Sequence, residues 1–356
     1  MGLNNTIIKK TIYNLIFTHQ ITNIGTNFDN CYYEYFEKMA LKMEKKDYTI
    51  IGIDGGGTKT RGILYRQGKI LATSNAGTTR VGSVGVGESC ERLLNVIIDL
   101  CEQANIDAVE LDAVVIGLAG VWLEEEKLRS AQLLKTLARS QKMTFNDLIV
   151  ISDAELALQG SFDGGNGIVL IGGTGSIALA RNGKEKLARC GGWGIELDDE
   201  GSGAWIGKEG LTAIVRSIDG RGKATMLGKM FADRFPTIDL DEPRTIVKAY
   251  GDRSFEYQML TPLVMEAAEN GDQVCMEILQ RASYHLMELF EALAPNYKTK
   301  TIPVALLGGM VENKTILERL INERIVANPK FERIVPKGNA LDGAISIGIK
   351  LIEEMD

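Results

Sequence analysis

The stretch "YTIIGIDGGGTKTRGILY", residues 48–65, sets an apolar run against three consecutive glycines, two threonines and a second apolar run. A strand that gives up side chains loses packing, so glycine at such a corner signals a tight bend or a close approach to the backbone. Asp54 adds a carboxylate beside the bare segment. Amide N–H groups and threonine hydroxyls so placed suit a polyphosphate, with the carboxylate orienting a magnesium ion through water. Taken alone, the segment also reads as a hairpin with a flexible turn.

The same device returns in "IVLIGGTGSIALARNGKEKL", residues 168–187: strand, glycine corner with hydroxyls, strand, arginine and a Gly-Lys turn. Two such corners, Gly55, Gly56, Gly57, Thr58, Lys59 and Thr60 in the first and Gly173, Thr174 and Gly175 in the second, could grip a triphosphate from opposite sides of a cleft. A third corner, "VALLGGMVENKTILERL", residues 304–320, precedes a helix and could let an adenine ring lie flat against Gly308 and Gly309. Neither a GxxxxGK[ST] loop nor a GxGxxG fingerprint with its later acid is present, which removes the P-loop and dinucleotide readings.

The 356 residues suffice for two domains with substantial cores. A 45% hydrophobic and 24% charged composition is that of a soluble globular chain, and no apolar run is long enough for a membrane span. The formal net charge of −7 gives no general attraction to nucleic acid, and no basic stripe compensates. Cys31, Cys90, Cys101, Cys190 and Cys275 are odd in number, widely spaced and without a CxxC pair, which argues against disulfides and zinc and fits a reducing cytoplasm. The histidines are His19 and His285, so proton transfer in the main body falls to carboxylates.

Residues 1–46 are rich in Asn, Ile and aromatics and lack a signal-peptide pattern. They read as a poorly ordered extension or a start assigned too early, with Met39 or Met43 as the alternative start; a DNA-binding headpiece lacks its helix-turn-helix pattern. Beyond them, "TIIGID", "AVVIGLAG", "LIVISD", "GIVLIGG" and "IPVALLGG" read as strands alternating with helical periodicity, as in an α/β protein. "SCERLLNVIIDLCEQA" is a helix with one buried face. A long helix from about Asp272 to Leu293 is scaffold or an oligomer face. The expected domains are 47–160 and 161–356, with the last helix a candidate to pack back on the first, and the expected assembly is a homodimer.

From about residue 48 onward the chain resembles the BadF/BadG/BcrA/BcrD ATPase family, and within it the N-acetylglucosamine kinase-like branch that includes N-acetylmuramic acid/N-acetylglucosamine kinases. The resemblance rests on "DGGGTKT", "SDAELAL", "GGTGS", "CGGWGIELDDEGSGAWIG" and "LLGGM". It implies the actin-hexokinase-Hsp70 fold, two ribonuclease-H-like domains closing on ATP and Mg2+, and transfer of phosphate to the 6-hydroxyl of an amino sugar. Asp153 matches the catalytic aspartate of that family, although its position also suits an N-cap. Thr58, Thr174, Gly175 and Ser176 match phosphate- and sugar-contacting positions, Asp54 the acid near the metal, and Gly192 and Asp199 sugar contacts. Trp193 either faces the sugar or packs the corner.

Two departures stand out. Arg80, in "NAGTTRVGSVGVG", falls where the family places an asparagine that binds sugar hydroxyls, and Val121 and Trp122 fall where relatives often have an acid. An arginine fork suits a substrate carboxylate such as the lactyl group of N-acetylmuramic acid; the alternative is that Arg80 points to solvent or pairs with Glu88. Competing functions are an ATPase that activates a partner dehydratase, for which Cys190 alone offers a cluster ligand near the relevant region, and a sugar sensor without catalysis.

Overall fold

The computed structural model describes residues 48–183 and 187–355, so the expectation for residues 1–46 lies outside the described residues. Strand β1 (Thr49–Gly55) pairs antiparallel with β2 (Lys59–Arg66), and β2 in turn with β3 (Lys69–Gly77). On its other side β1 lies parallel to β4 (Ala113–Leu118), which lies parallel to β5 (Asp147–Ile151). The second sheet repeats this plan. Strands β6 (Gly167–Gly172), β7 (Ser176–Arg181) and β8 (Ala188–Gly191) are antiparallel, and β9 (Ile302–Leu307) and β10 (Phe331–Arg333) follow in parallel beyond β6. The orders β3-β2-β1-β4-β5 and β8-β7-β6-β9-β10 are therefore one topology used twice, which is the structural form of the echo in the sequence.

Both faces of the first sheet are covered, which is why its central strands read as continuous apolar runs. Side chains alternate across a strand, so Ile51 and Ile53 of β1 meet one layer and Ile50 the other. The first layer is α1 (Val81–Ala104), interrupted at Gly85 where φ is +80°, together with α2 (Glu124–Ser140). The other layer is α10 (Ala340–Met355) with α3 (Asp153–Phe162). Each fully buried Ile of β1 contributes roughly 1.5–3 kcal/mol. Close approach is bought with small residues: a Cβ on Gly52 would stand 2.9 Å from Ala344 Cβ, and one on Gly348 2.8 Å from Ile50 Cγ2.

Helix α3 also covers one face of the second sheet, where Ala154, Leu158 and Phe162 pack on Val169, Leu179 and Ala305. The opposite face carries α4 (Gly203–Ile218), α5 (Leu227–Arg234), α6 (Arg244–Gly251), α7 (Thr261–Glu269), α8 (Gln273–Leu293) and α9 (Ile316–Ala327). The long helix expected from Asp272 is α8, with the Asp272 carboxylate as its cap, accepting from Cys275 N at 3.0 Å. It buries Ile278, Leu279, Leu286 and Phe290. Helices α3 and α10 cross where Gly160 meets the Asn339 carbonyl and Gly343 the Leu156 carbonyl, with no room for a methyl group at either position.

Candidate active site

The first glycine corner is held from behind. A Cβ on Gly55 would lie 2.6 Å from Thr79 Oγ1, so that glycine is required by packing. Thr60 is buried, its hydroxyl 2.9 Å from that of Thr79, while Ser89 Oγ donates to the Thr79 carbonyl at 2.7 Å. Thr60 therefore serves the corner by anchoring Thr79. The turn closes with Gly56 N donating to the Lys59 carbonyl at 3.1 Å, and leaves Gly57, Thr58 and Lys59 exposed at its tip. Gly57 has no positive φ, and a Cβ there would meet nothing within 4 Å.

The second corner has the same character at its tip. Gly173 also lacks a positive φ and any neighbour to a built Cβ, and Thr174 beside it is exposed. Gly175 differs: a Cβ there would lie 2.7 Å from Asp199 Oδ2. Its missing side chain makes room for Asp199, whose Oδ1 also accepts from Ser176 N at 3.4 Å. The Ser176 hydroxyl is buried and donates to the Glu200 carbonyl at 3.1 Å, so this residue reaches a ligand only through the carboxylate it positions. Asp199 itself is 8% exposed and adopts φ +60°, a conformation uncommon outside glycine and concentrated at functional sites. Burial pushes its carboxyl above the usual range, opposed by amide N–H groups and the charge of Arg80. Gly192 (φ +76°) lies against Ile177. At the third corner Gly308 (φ +99°) abuts the Gly172 backbone, leaving exposed Gly309 as the open face.

Asp153 is the first residue of α3 and does not cap it. Ser152 does: its hydroxyl accepts from Glu155 N at 3.2 Å, and Glu155 Oε2 accepts from Ser152 N at 2.7 Å. The Asp153 carboxylate is thereby released from that duty, although Oδ1 accepts from Ala154 N at 2.9 Å. Gly117 on β4 lets α3 begin this close, since a Cβ there would stand 3.1 Å from Asp153 Cα. Asp153 lies deep yet keeps some accessible surface, as the floor of a cleft does. Burial, then the like charge of Asp54, raises its pKa to about 6, with Arg80 pulling the other way.

Arg80 caps the start of α1 through its carbonyl, and its Cγ lies beside Gly120. Glu88 is not its partner, because Glu88 Oε1 accepts from Arg92 Nε at 2.7 Å. The Arg80 guanidinium is exposed and has no ion pair among the described residues. Its charge acts on both Asp153 and Asp199. The structure thus gathers Asp54, Asp153, Arg80 and Asp199 into one electrostatic neighbourhood.

A family model matches residues 51–348 as the BadF/BadG/BcrA/BcrD ATPase family. The chain belongs to that family. Among curated relatives of this BadF-family chain, an N-acetylmuramic acid/N-acetylglucosamine kinase of Clostridium acetobutylicum is 31% identical over 302 residues, covering 84% of this chain and 97% of the relative. An N-acetyl-D-glucosamine kinase of Dictyostelium discoideum is 29% identical over 294 residues, covering 78% and 90%. A crystal structure from Chromobacterium violaceum, a protein for which N-acetylglucosamine kinase activity has been proposed, superposes with a TM-score of 0.68 at 27% identity, covering 85% of this chain and 99% of that one. The duplicated sheets are the two halves of the α/β fold of actin-like ATPases and sugar kinases.

The donors of this BadF-family site fit a magnesium ion of the kind held mainly by phosphates and water, which needs only one or two carboxylates. Asp54 Oδ2 accepts from Arg61 Nη2 at 2.7 Å, which leaves Oδ1 for a metal-bound water. Arg61 escaped the reading of the sequence, yet the hairpin register places it directly across from Asp54, so counting outward from the glycine tip finds it. Arg189 and Trp122 were also missed as a pair. Arg189 Cζ lies 4.8 Å from the Trp122 ring centroid and 4.3 Å from that of Trp193, which is 65% exposed and so not a packed corner residue. No local pattern announces that contact, because its two sides come from different sheets.

Proposed function

We propose that the chain is an ATP-dependent kinase that phosphorylates the 6-hydroxyl of an N-acetylated amino sugar. The observation that carries this reading is the pair Gly57 and Gly173. They stand at the tips of two equivalent hairpins, and neither backbone conformation nor any protein neighbour requires them to be glycine. Bare backbone at both tips suits phosphates lying against amide N–H groups, with Gly55, Gly56, Thr58, Lys59 and Thr174 completing the two corners and Gly308 and Gly309 beside the adenine. Magnesium would be held through water by Asp54 and supplies neutralisation of phosphate charge. The sugar would lie against Gly192, Trp193, Asp199 and Arg80, and Ser176 would hold Asp199 in place.

In the reaction the sugar O6 attacks the γ-phosphorus, the bond from that phosphorus to the β–γ bridging oxygen breaks, and Asp153 accepts the O6 proton. The products are the sugar 6-phosphate and ADP. Positioning carries most of such a transfer, and Asp153 supplies the modest base. The lobes are residues 47–160 and 161–356, with α10 of the second serving the first. A cytoplasmic location accords with four described cysteines that are all unbonded thiols. Assembly as a homodimer is part of the proposal, and light scattering after size exclusion reads it.

The decisive experiment incubates the chain with Mg-ATP and either N-acetylglucosamine or N-acetylmuramic acid, following phosphorus by NMR. We expect one sugar 6-phosphate resonance per ADP formed. ATP hydrolysis without a sugar phosphate, for either sugar, overturns the reading.

A further inference from the structure

Between β8 and α4 the chain makes a loop, residues 191–201, whose backbone is costly to hold: Gly191, Gly192, Gly194, Asp199 and Gly201 all have positive φ. It bears Trp193 and Asp199, the groups assigned above to the sugar. Arg189 holds the carbonyls of its first turn, while Asp198 Oδ2 accepts from Trp193 N at 3.2 Å. Arg189 Nε donates to the Gly191 carbonyl at 3.0 Å and Nη2 to the Gly192 carbonyl at 2.7 Å. With its edge so occupied, the guanidinium lies over two indoles: Trp193 from the loop itself, at 4.3 Å from Cζ to the ring centroid, and Trp122 from the loop that follows β4 in the other sheet, at 4.8 Å.

Trp122 is fixed in its turn. Its amide and that of Leu123 both donate to Glu126 Oε2 at 2.9 Å, and it packs against the apolar cluster that α3 forms with the second sheet. Two residues earlier, Gly120 lies against the Arg80 side chain. The loop after β4 therefore touches both Arg80 and Arg189.

We infer that Arg189 is a positioning residue: clamped between Trp122 and Trp193, it sets the sugar-facing loop 191–199 according to where the first sheet stands. The sugar assignment rests on the kinase reading above; the mechanical coupling does not. A planar, stackable cation is needed, because an ammonium cannot donate in a fork to two carbonyls while also contacting two indole rings. Trp122 must supply a π-face and not merely volume.

Hydrogen exchange without substrate tests the coupling. In Trp122→Leu the amides of 191–199 should exchange about tenfold faster, while in Trp122→Phe they should stay within about threefold of wild type, the span expected for losing or keeping one partly desolvated cation–π contact. Unchanged exchange in Trp122→Leu overturns the inference, as does equal acceleration in both variants. Steady-state kinetics with N-acetylglucosamine and ATP tests its use. Arg189→Lys should raise the sugar KM about tenfold and leave the ATP KM within about twofold. Equal changes in both constants mean a general structural role and overturn the inference. In the wild type, added N-acetylglucosamine should protect residues 121–123 together with 191–199; protection of the loop alone overturns the coupling. If no amino sugar is turned over or gives protection, the kinase reading fails, and the substrate-free exchange of Trp122→Leu still decides the coupling.

Discussion

In the proposed kinase Asp153 is the base, and at the scale of the residue its environment gives two measurable signs. Its folded pKa of about 6 lies above the ordinary value near 3.8, so ionisation is a cost that is absent below the ordinary value, grows between the two and is complete above the higher. Asp153→Asn should therefore stabilise the chain at pH 8 by on the order of 1–3 kcal/mol, with the gain shrinking toward pH 4 in urea titrations. The same variant should lower turnover about 100-fold or more, since a positioned base is lost. In the wild type, kcat/KM should fall below pH 6 as the base is protonated. Arg80 makes the second test. An exposed guanidinium without an acid partner favours a sugar bearing a carboxylate, and an ion pair so exposed contributes about 0.2–1 kcal/mol, a preference of up to about fivefold for N-acetylmuramic acid over N-acetylglucosamine. Arg80→Asn should reverse that preference and spare the ATP KM; a wild type that prefers the neutral sugar removes Arg80 from the substrate. The family resemblance singled out these residues, but which glycines are open and which pack against protein needed neighbours in space. Gly175 and Gly55 look like Gly57 and Gly173 in one dimension, and only a built Cβ separates them.

Elements were legible in proportion to their burial. Of the five named strands, β1, β4, β6 and β9 are central and their covered faces leave a continuous apolar run, while β5 is a parallel edge read from its own apolar residues. The strands without a name, β3, β8 and β10, are edges; β10 has three residues, and β3 exposes most of its outer side chains. α1 was expected from Ser89 and begins at Val81, because its first turns are glycine-rich and broken at Gly85, where helical periodicity has nothing to register. The α3–α10 crossing was hidden because Gly160 and Gly343 lie far apart in the chain. It is a packing contact with no room for a side chain at either glycine. Gly160→Ala would drive a methyl into the Asn339 carbonyl, and overpacking of two helix backbones should cost about 3 kcal/mol, read as a lowered midpoint in urea with an unchanged slope. A midpoint equal to that of wild type would show that the helices part freely.

At the scale of the whole molecule, the proposed phosphoryl transfer predicts that the halves built on the two sheets close on the ligands. An open phosphate site would lose ATP to water, so nucleotide and sugar together should compact the chain and nucleotide alone should do so less, as read by small-angle scattering. Identical profiles with and without both ligands would count against closure. The seat of α10 has a further consequence, for biosynthesis. Residues 340–355 supply the cover for Ile50 and Ile63 and part of that for Val115, whereas the second sheet finds its covering helices within residues 153–327. During translation the half that leaves the ribosome first must wait with one sheet face only partly covered, and the half made second can finish before it. The nascent chain thus reverses the order of its own synthesis, and a chaperone that binds apolar strands would find its longest-lived target in the segment made earliest.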